Sequence, residues 1–141
     1  MTQNEKELLL KDICARLPYG VKVQIDLQSN IYPPMICKVC NIEFAEMGGS
    51  FIGVEVLPDS YSEYREFLCK PYLFPLSSMT DEQSKELEEI DPEFYSLICE
   101  NGDICVSMDV RGYDWLNKNH IDYRGLIENE LAIDATNLNI Y

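Results

Sequence analysis

The side chains best suited to chemistry crowd into DWLNKNHIDYRGLIENELAID, residues 114–134. There lie the chain's single tryptophan, Trp115, and single histidine, His120, with Tyr123 and Arg124 three and four residues after the histidine. Such a set can serve three ends. Imidazole titrates near neutrality and can move protons. Trp, Tyr and Arg are the types that dominate interface energetics. The same aromatic and cationic groups can also close the core of a small domain. Any Ser–His or Cys–His mechanism must use His120, and each of the six cysteines (Cys14, Cys37, Cys40, Cys69, Cys99, Cys105) could supply the thiol on paper. No pattern selects one of them.

Cys37-x-x-Cys40 is the other pair that invites chemistry. A zinc ribbon needs a second such pair or two histidines, and a redox motif opens a helix after a strand. Here the pair falls inside an expected strand, where residues three apart point to opposite faces. Unless a bulge intervenes, the sulfurs cannot meet one metal, so neither a metal nor a cofactor is expected. No G-x-G-x-x-G, P-loop, G-x-S-x-G or H-E-x-x-H pattern occurs. With 25 acidic residues some carboxylate pair always lies close, which leaves paired-carboxylate catalysis open without pointing to it. The balance is against an enzyme, and no catalytic residue is assigned.

Charge narrows the partners. The formal net charge is −14, so the phosphates of a nucleic acid would be repelled and direct binding to DNA or RNA is not expected. Residues 81–103 hold Asp81, Glu82, Glu86, Glu88, Glu89, Asp91, Glu93, Glu100 and Asp103 against Lys85 alone. Such a run is either a solvated helix face or an acidic surface offered to a basic partner. Glu82, Glu86 and Glu89 share one helical face. No secretory pattern opens the chain and no run of eighteen apolar residues occurs, which implies a cytoplasmic protein without a membrane partner.

These side chains must be positioned by a chain of single-domain length. Thr2 and Glu5 form a capping box, followed by an apolar stripe at Leu10, Ile13, Cys14 and Leu17; Pro18 and Gly20 stop that helix. Val21, Val23, Ile25 and Leu27 alternate with polar residues as a strand; ICKVCNIEF (36–44) and FIGVEVL (51–57) give two more, turned at Met47-Gly48-Gly49-Ser50. A loop (58–64) leads to a fourth near REFLC (65–69), and KPYLFPLSSM, with two prolines, is not expected as a central strand. Thr80 and Gln83 cap a helix that runs to about Ile90 and ends at Pro92. Residues on either side of Asn101-Gly102 read as a hairpin, with a helical continuation of 94–99 as the alternative.

Two short helices then follow, Asp114–Asn119 and Asp122–Asn129, each with aspartate at its N-cap. Trp115, Leu116, Leu126 and Ile127 would face the core, and His120 at a helix end would suit the dipole as a cation. Arg124 is then free to reach a carboxylate. Leu131 and Ile133 alternate like a strand, and ATNLNIY reads as a loosely held tail. The expected fold is α+β: a helix with a four-stranded antiparallel meander or small SH3-like barrel (1–79), a helical and hairpin region (80–134) and a tail (135–141).

LPYGVKV, CKPYLFPLSSMTDEQ (69–83) and DWLNKNHIDYRGLIENELAID (114–134) resemble segments of a family of small proteins encoded by phages, prophages and mobile elements of gut Bacteroidales. The block with Trp115, Leu116, Asn117, Asp122, Tyr123, Arg124 and Gly125 is its most specific part. Where the family has Gly before Leu131 this chain has Glu130, which puts a tight glycine turn in doubt. The resemblance brings no catalytic residue; it implies a phage-like accessory protein inside a bacterial cell. The sequence therefore points to a non-enzymatic protein that binds a host or phage protein, such as a basic nucleic-acid-binding protein of a defence system. Tyr123, Arg124, His120, Glu82, Glu86 and Glu89 are the candidate contacts. The alternative is a small enzyme or small-molecule binder with a pocket between the sheet and the C-terminal helices.

Overall fold

The computed structural model describes residues 1–45, 49–93, 95 and 110–141. Thr2 opens α1 (Gln3–Arg16): its hydroxyl accepts the Glu5 N–H while the Glu5 carboxylate accepts the Thr2 N–H at 2.6 Å. The same reciprocal pairing of Thr80 with Gln83 opens α2 (Asp81–Ile90). Each capping box satisfies two backbone donors that the first turn leaves bare. Gly20, at φ +69°, turns the chain out of the 3-10 segment Leu17–Tyr19 and into the sheet.

The strands β1 (Lys22–Ile25), β2 (Met35–Phe44), β3 (Ser50–Leu57) and β4 (Ser60–Arg65) form an antiparallel meander. After a 3-10 turn at Glu66–Leu68, β5 (Cys69–Pro75) returns antiparallel beside β1, so the order is β4-β3-β2-β1-β5. Helix α3 (Val110–Lys118) precedes two short strands, β6 (Ile121–Asp122) and β7 (Ile133–Asp134), which both pair with β5 in parallel. Leu9 and Ile13 of α1 pack on Val21, Val23, Ile25, Val39, Ile52 and Val54, and Leu126 and Leu131 close that core. A second cluster joins Leu87, Trp115, Leu116 and Ile121. The fold is α+β, with an N-terminal helix on an antiparallel sheet.

Several expectations are corrected. The stretch 58–64 is mostly strand rather than loop, and the fourth strand is β4, not residues 65–69. SYSEYR hides because β4 pairs on one edge only and buries little, so it lacks an apolar period of two. The proline-bearing β5 does lie inside the sheet, with β1 and β6 along one edge and β7 on the other. Backbone groups of successive strand residues face alternate edges. Asp26 N–H reaches the Leu68 carbonyl and Phe74 N–H reaches that of His120, so even-numbered residues serve β1 and β6. Pro71 and Pro75, the residues with no N–H to give, face the other edge, which β7 bonds at Leu73.

The stripe of α1 is also different. Leu9, Leu10, Asp12, Ile13 and Arg16 are buried, so Leu10 and Ile13 face inward as expected while Cys14 is exposed. Two charges on the inward face displaced the register that apolar residues alone suggest. Past residue 119 the chain is not helical. Asp114 lies inside α3 rather than at its cap, and no helix spans 122–129. Asp122 nevertheless acts as a cap, accepting the N–H groups of Arg124, Leu126 and Ile127. The hairpin expected about Asn101-Gly102 lies outside the described residues; before it, Tyr95 N–H donates to the Asp91 carbonyl in a helical bond.

The tight turn before Leu131 forms without glycine. Leu131 N–H reaches the Leu126 carbonyl and Glu130 N–H that of Ile127, a Schellman pattern with Glu130 held at φ +58°. A side chain there carries a strain that glycine avoids. Glu130→Gly should therefore raise stability by up to about 1 kcal/mol once the added freedom of the unfolded chain is subtracted, read as a higher melting temperature.

Candidate functional site

The residues singled out around His120 converge with two that were not. Asp12 and Arg16, one helical turn apart on α1, are both fully buried. Arg16 donates from Nε and Nη2 to the two Asp12 oxygens at 2.8 and 2.9 Å. It also donates to the carbonyls of Ile121 at 2.8 Å and Leu116 at 3.4 Å. Arg124 reaches the same carboxylate, Nη1 to Oδ1 at 2.8 Å. The carboxylate that Arg124 was expected to find is Asp12, 112 residues away. Sequence gave no sign of the pair, because Asp and Arg four apart on a helix normally lie in solvent.

Both guanidiniums also lie against the Tyr123 ring, their carbons 5.6 Å (Arg16) and 4.4 Å (Arg124) from its centre. Its hydroxyl donates to Asn117 Oδ1 at 3.1 Å, and Tyr113 packs at 5.3 Å between ring centres. Trp115 is buried as expected, although its indole N–H finds no acceptor among the described residues. Leu126 is buried and Ile127 half-buried against the first core. Tyr123 and Arg124 are both half-buried.

His120 is not a helix-end cation. Burial first, then the nearby Arg16, lowers its pKa to about 4, so the ring is neutral at physiological pH. The expected loose tail is also held: Ala135 N–H reaches the Leu73 carbonyl, and the Tyr141 ring stacks on the His120 ring. A groove of about 720 Å³ runs between Pro75–Ser77 and the 122–129 segment, and another of about 380 Å³ is lined by Lys11, Tyr113, Asn117, Tyr123 and Arg124. His120 lines neither, and no cysteine does. Neither groove therefore brings His120 and a thiol together.

The remaining candidates lie apart. Glu82, Glu86 and Glu89 are all exposed on α2, while Leu87 turns inward. Cys37 is buried and Cys40 exposed, on opposite faces of β2, even though a bulge does interrupt the strand between Val39 and Asn41. Among the described residues no three His, Cys, Asp or Glu side chains converge to hold a metal, and no helix is long and apolar enough to cross a membrane. Compared with family models, curated proteins and solved structures, the chain matches none.

Removing Asp12 would leave two guanidiniums facing each other without an anion. Asp12→Ala should cost about 3–5 kcal/mol, more than the roughly 1–3 kcal/mol for Arg124→Ala, and Trp115→Ala about 3–5 kcal/mol; chemical denaturation of the three variants ranks them. Among the four cysteines of the described residues, thiol labelling of the native protein should mark Cys40 first and Cys14 more slowly. Cys69, buried and with its pKa raised to about 12, and Cys37 should react only after unfolding.

Proposed function

We propose that the protein is a non-enzymatic, acidic, phage-like accessory protein that binds a basic protein surface inside a bacterial cell. The occupied surface would be one that normally holds nucleic acid, and the defence machinery of the host is the setting that the family resemblance favours. The observation that carries this reading is the outer face of α2. Glu82, Glu86 and Glu89 stand in solvent there with Asp81, Glu88 and Glu93 beside them, and among the described residues none of the three central glutamates makes an ion pair. The chain's net charge of −14 makes this face part of a wider negative field that would steer a cationic partner.

The scaffold supports the same reading. The strand order β4-β3-β2-β1-β5, with a single 3-10 turn before β5, suits a small SH3-like barrel with α2 placed away from its packed interior. Tyr123, Arg124 and His120, read at first as further contacts, are engaged inside the fold, which leaves the acidic helix to carry recognition.

Changing Glu82, Glu86 and Glu89 together to Gln should abolish capture of the partner from bacterial lysate while leaving the melting temperature within about 1 °C, since exposed substitutions away from packed features cost little. Binding by the unaltered protein should weaken steeply between 50 and 500 mM salt, over which the screening length falls from about 14 Å to about 4 Å. A partner that ignores both the triple change and the salt would remove the proposal.

A further inference from the structure

One side chain pins the segment 135–141 to the sheet. The Tyr141 hydroxyl accepts the Lys22 N–H at 3.0 Å and donates to the Tyr72 carbonyl at 2.9 Å. Lys22 and Tyr72 are the pair that would follow Val23 and Pro71 in the β1–β5 register. The hydroxyl therefore stands where a direct ladder bond would otherwise form. Lys22 reinforces the contact, its ammonium donating to the Ile140 carbonyl at 2.6 Å and lying 5.7 Å from the Tyr141 ring centre.

Beneath the tyrosine is His120, stacked at 3.9 Å and 12° from parallel. Its backbone takes the left-handed conformation, φ +56°, that closes α3. Its Nδ1 is buried and has no hydrogen-bond partner among the described residues. The groups around the ring are Asp12 and Arg16 from α1, the Tyr19 backbone, Lys22 from β1 and the Tyr141 phenol. α3 contributes the Asn117 carbonyl, to which the His120 N–H donates, and β5 the Phe74 N–H, which donates to the His120 carbonyl. Two cations thus face the ring against one carboxylate, and that carboxylate already holds Arg16 and Arg124. A proton arriving at Nδ1 would find no acceptor and an adverse field, and it gains solvation only if the tyrosine moves away.

We propose that residues 135–141 form a strap that protonation of His120 releases, opening the β1–β5 seam at Lys22 and Tyr72. With the strap closed the imidazole is held at about 4; released into water it would titrate near its ordinary 6.5. The closed strap is therefore at full strength above about pH 6.5 and weakens as pH falls from there towards 4. Relative to high pH, the open-to-closed ratio rises about tenfold by pH 5.5 and about 150-fold by pH 4, towards a limit of about 300-fold below that. An opened seam exposes one N–H, one carbonyl and the aromatic slot between His120 and Phe74, a short edge that an extended segment could occupy.

Amide hydrogen exchange tests the strap, because the Lys22 amide has the Tyr141 hydroxyl as its acceptor. Corrected for intrinsic rates, protection of Lys22 relative to the core amide of Val39 should fall about tenfold between pH 7.5 and 5.5. It should stay flat in His120→Asn, a substitution that tolerates the left-handed backbone. Constant protection in the unaltered protein, or an equal fall in His120→Asn, would overturn the proposal. Should that variant fail to fold, the His120 ring-proton titration decides on its own: in Tyr141→Ala the pKa should rise by at least one unit. A value still near 4 would mean that the core alone shields the ring and that no strap is coupled to it.

Discussion

A single carboxylate, that of Asp12, is shared by two guanidiniums in the interior, and the placement of both ends of the chain follows from it. Burying three ions is tolerable only where nearly every donor and acceptor is matched. Arg16 meets that condition by giving two of its three remaining hydrogens to the Leu116 and Ile121 carbonyls, so the end of α3 and the start of β6 are fixed by the same group. The rotation of α1 is fixed as well. With Asp12 and Arg16 turned inward, Leu9 and Ile13 must face the sheet and Cys14 must face water. The far end of α1 is tied by Lys6 to the buried Glu66 at 2.9 Å, which also accepts the Ser50 N–H.

The molecule sorts its charges by depth. Inside, cations outnumber anions around Tyr123 and His120, and each ion is paired or stacked. Outside, α2 carries carboxylates with no such partners among the described residues. The first arrangement consumes the groups that looked most reactive in the sequence. His120 is buried, and Tyr123 and Arg124 are half-buried and tied to Asn117 and Asp12.

Elements set by local chemistry were legible from the residues alone. Both capping boxes formed at the named positions, and β1 to β3 followed their alternation to within a few residues. What escaped was set by distant partners. Asp12 and Arg16 read as a solvent pair because nothing within a helical turn reveals that Leu116 and Ile121 will supply carbonyls. β4 is too polar to announce itself, and β5 is a strand because its prolines happen to face the sparsely bonded edge. Asp122 was rightly seen as a capping residue, yet Gly125 at φ +71° and Glu130 at φ +58° bracket a turn too short for a helix. For the site, Trp115 and the need of Arg124 for a carboxylate were readable. Which of 25 acids would answer was not.

The Tyr141 bridge has a bearing on the order of assembly. The meander β2-β3-β4 joins residues close in sequence and can form early, since little chain entropy is lost in closing its turns. The β1–β5 seam is different: part of its ladder is a phenol from 119 residues beyond Lys22. Arg16 likewise waits for carbonyls 100 and 105 residues ahead. The front of the protein is thus completed by residues more than a hundred positions later, and a chain emerging in order from a ribosome would hold α1 and β1 unfinished until residue 141 had been made.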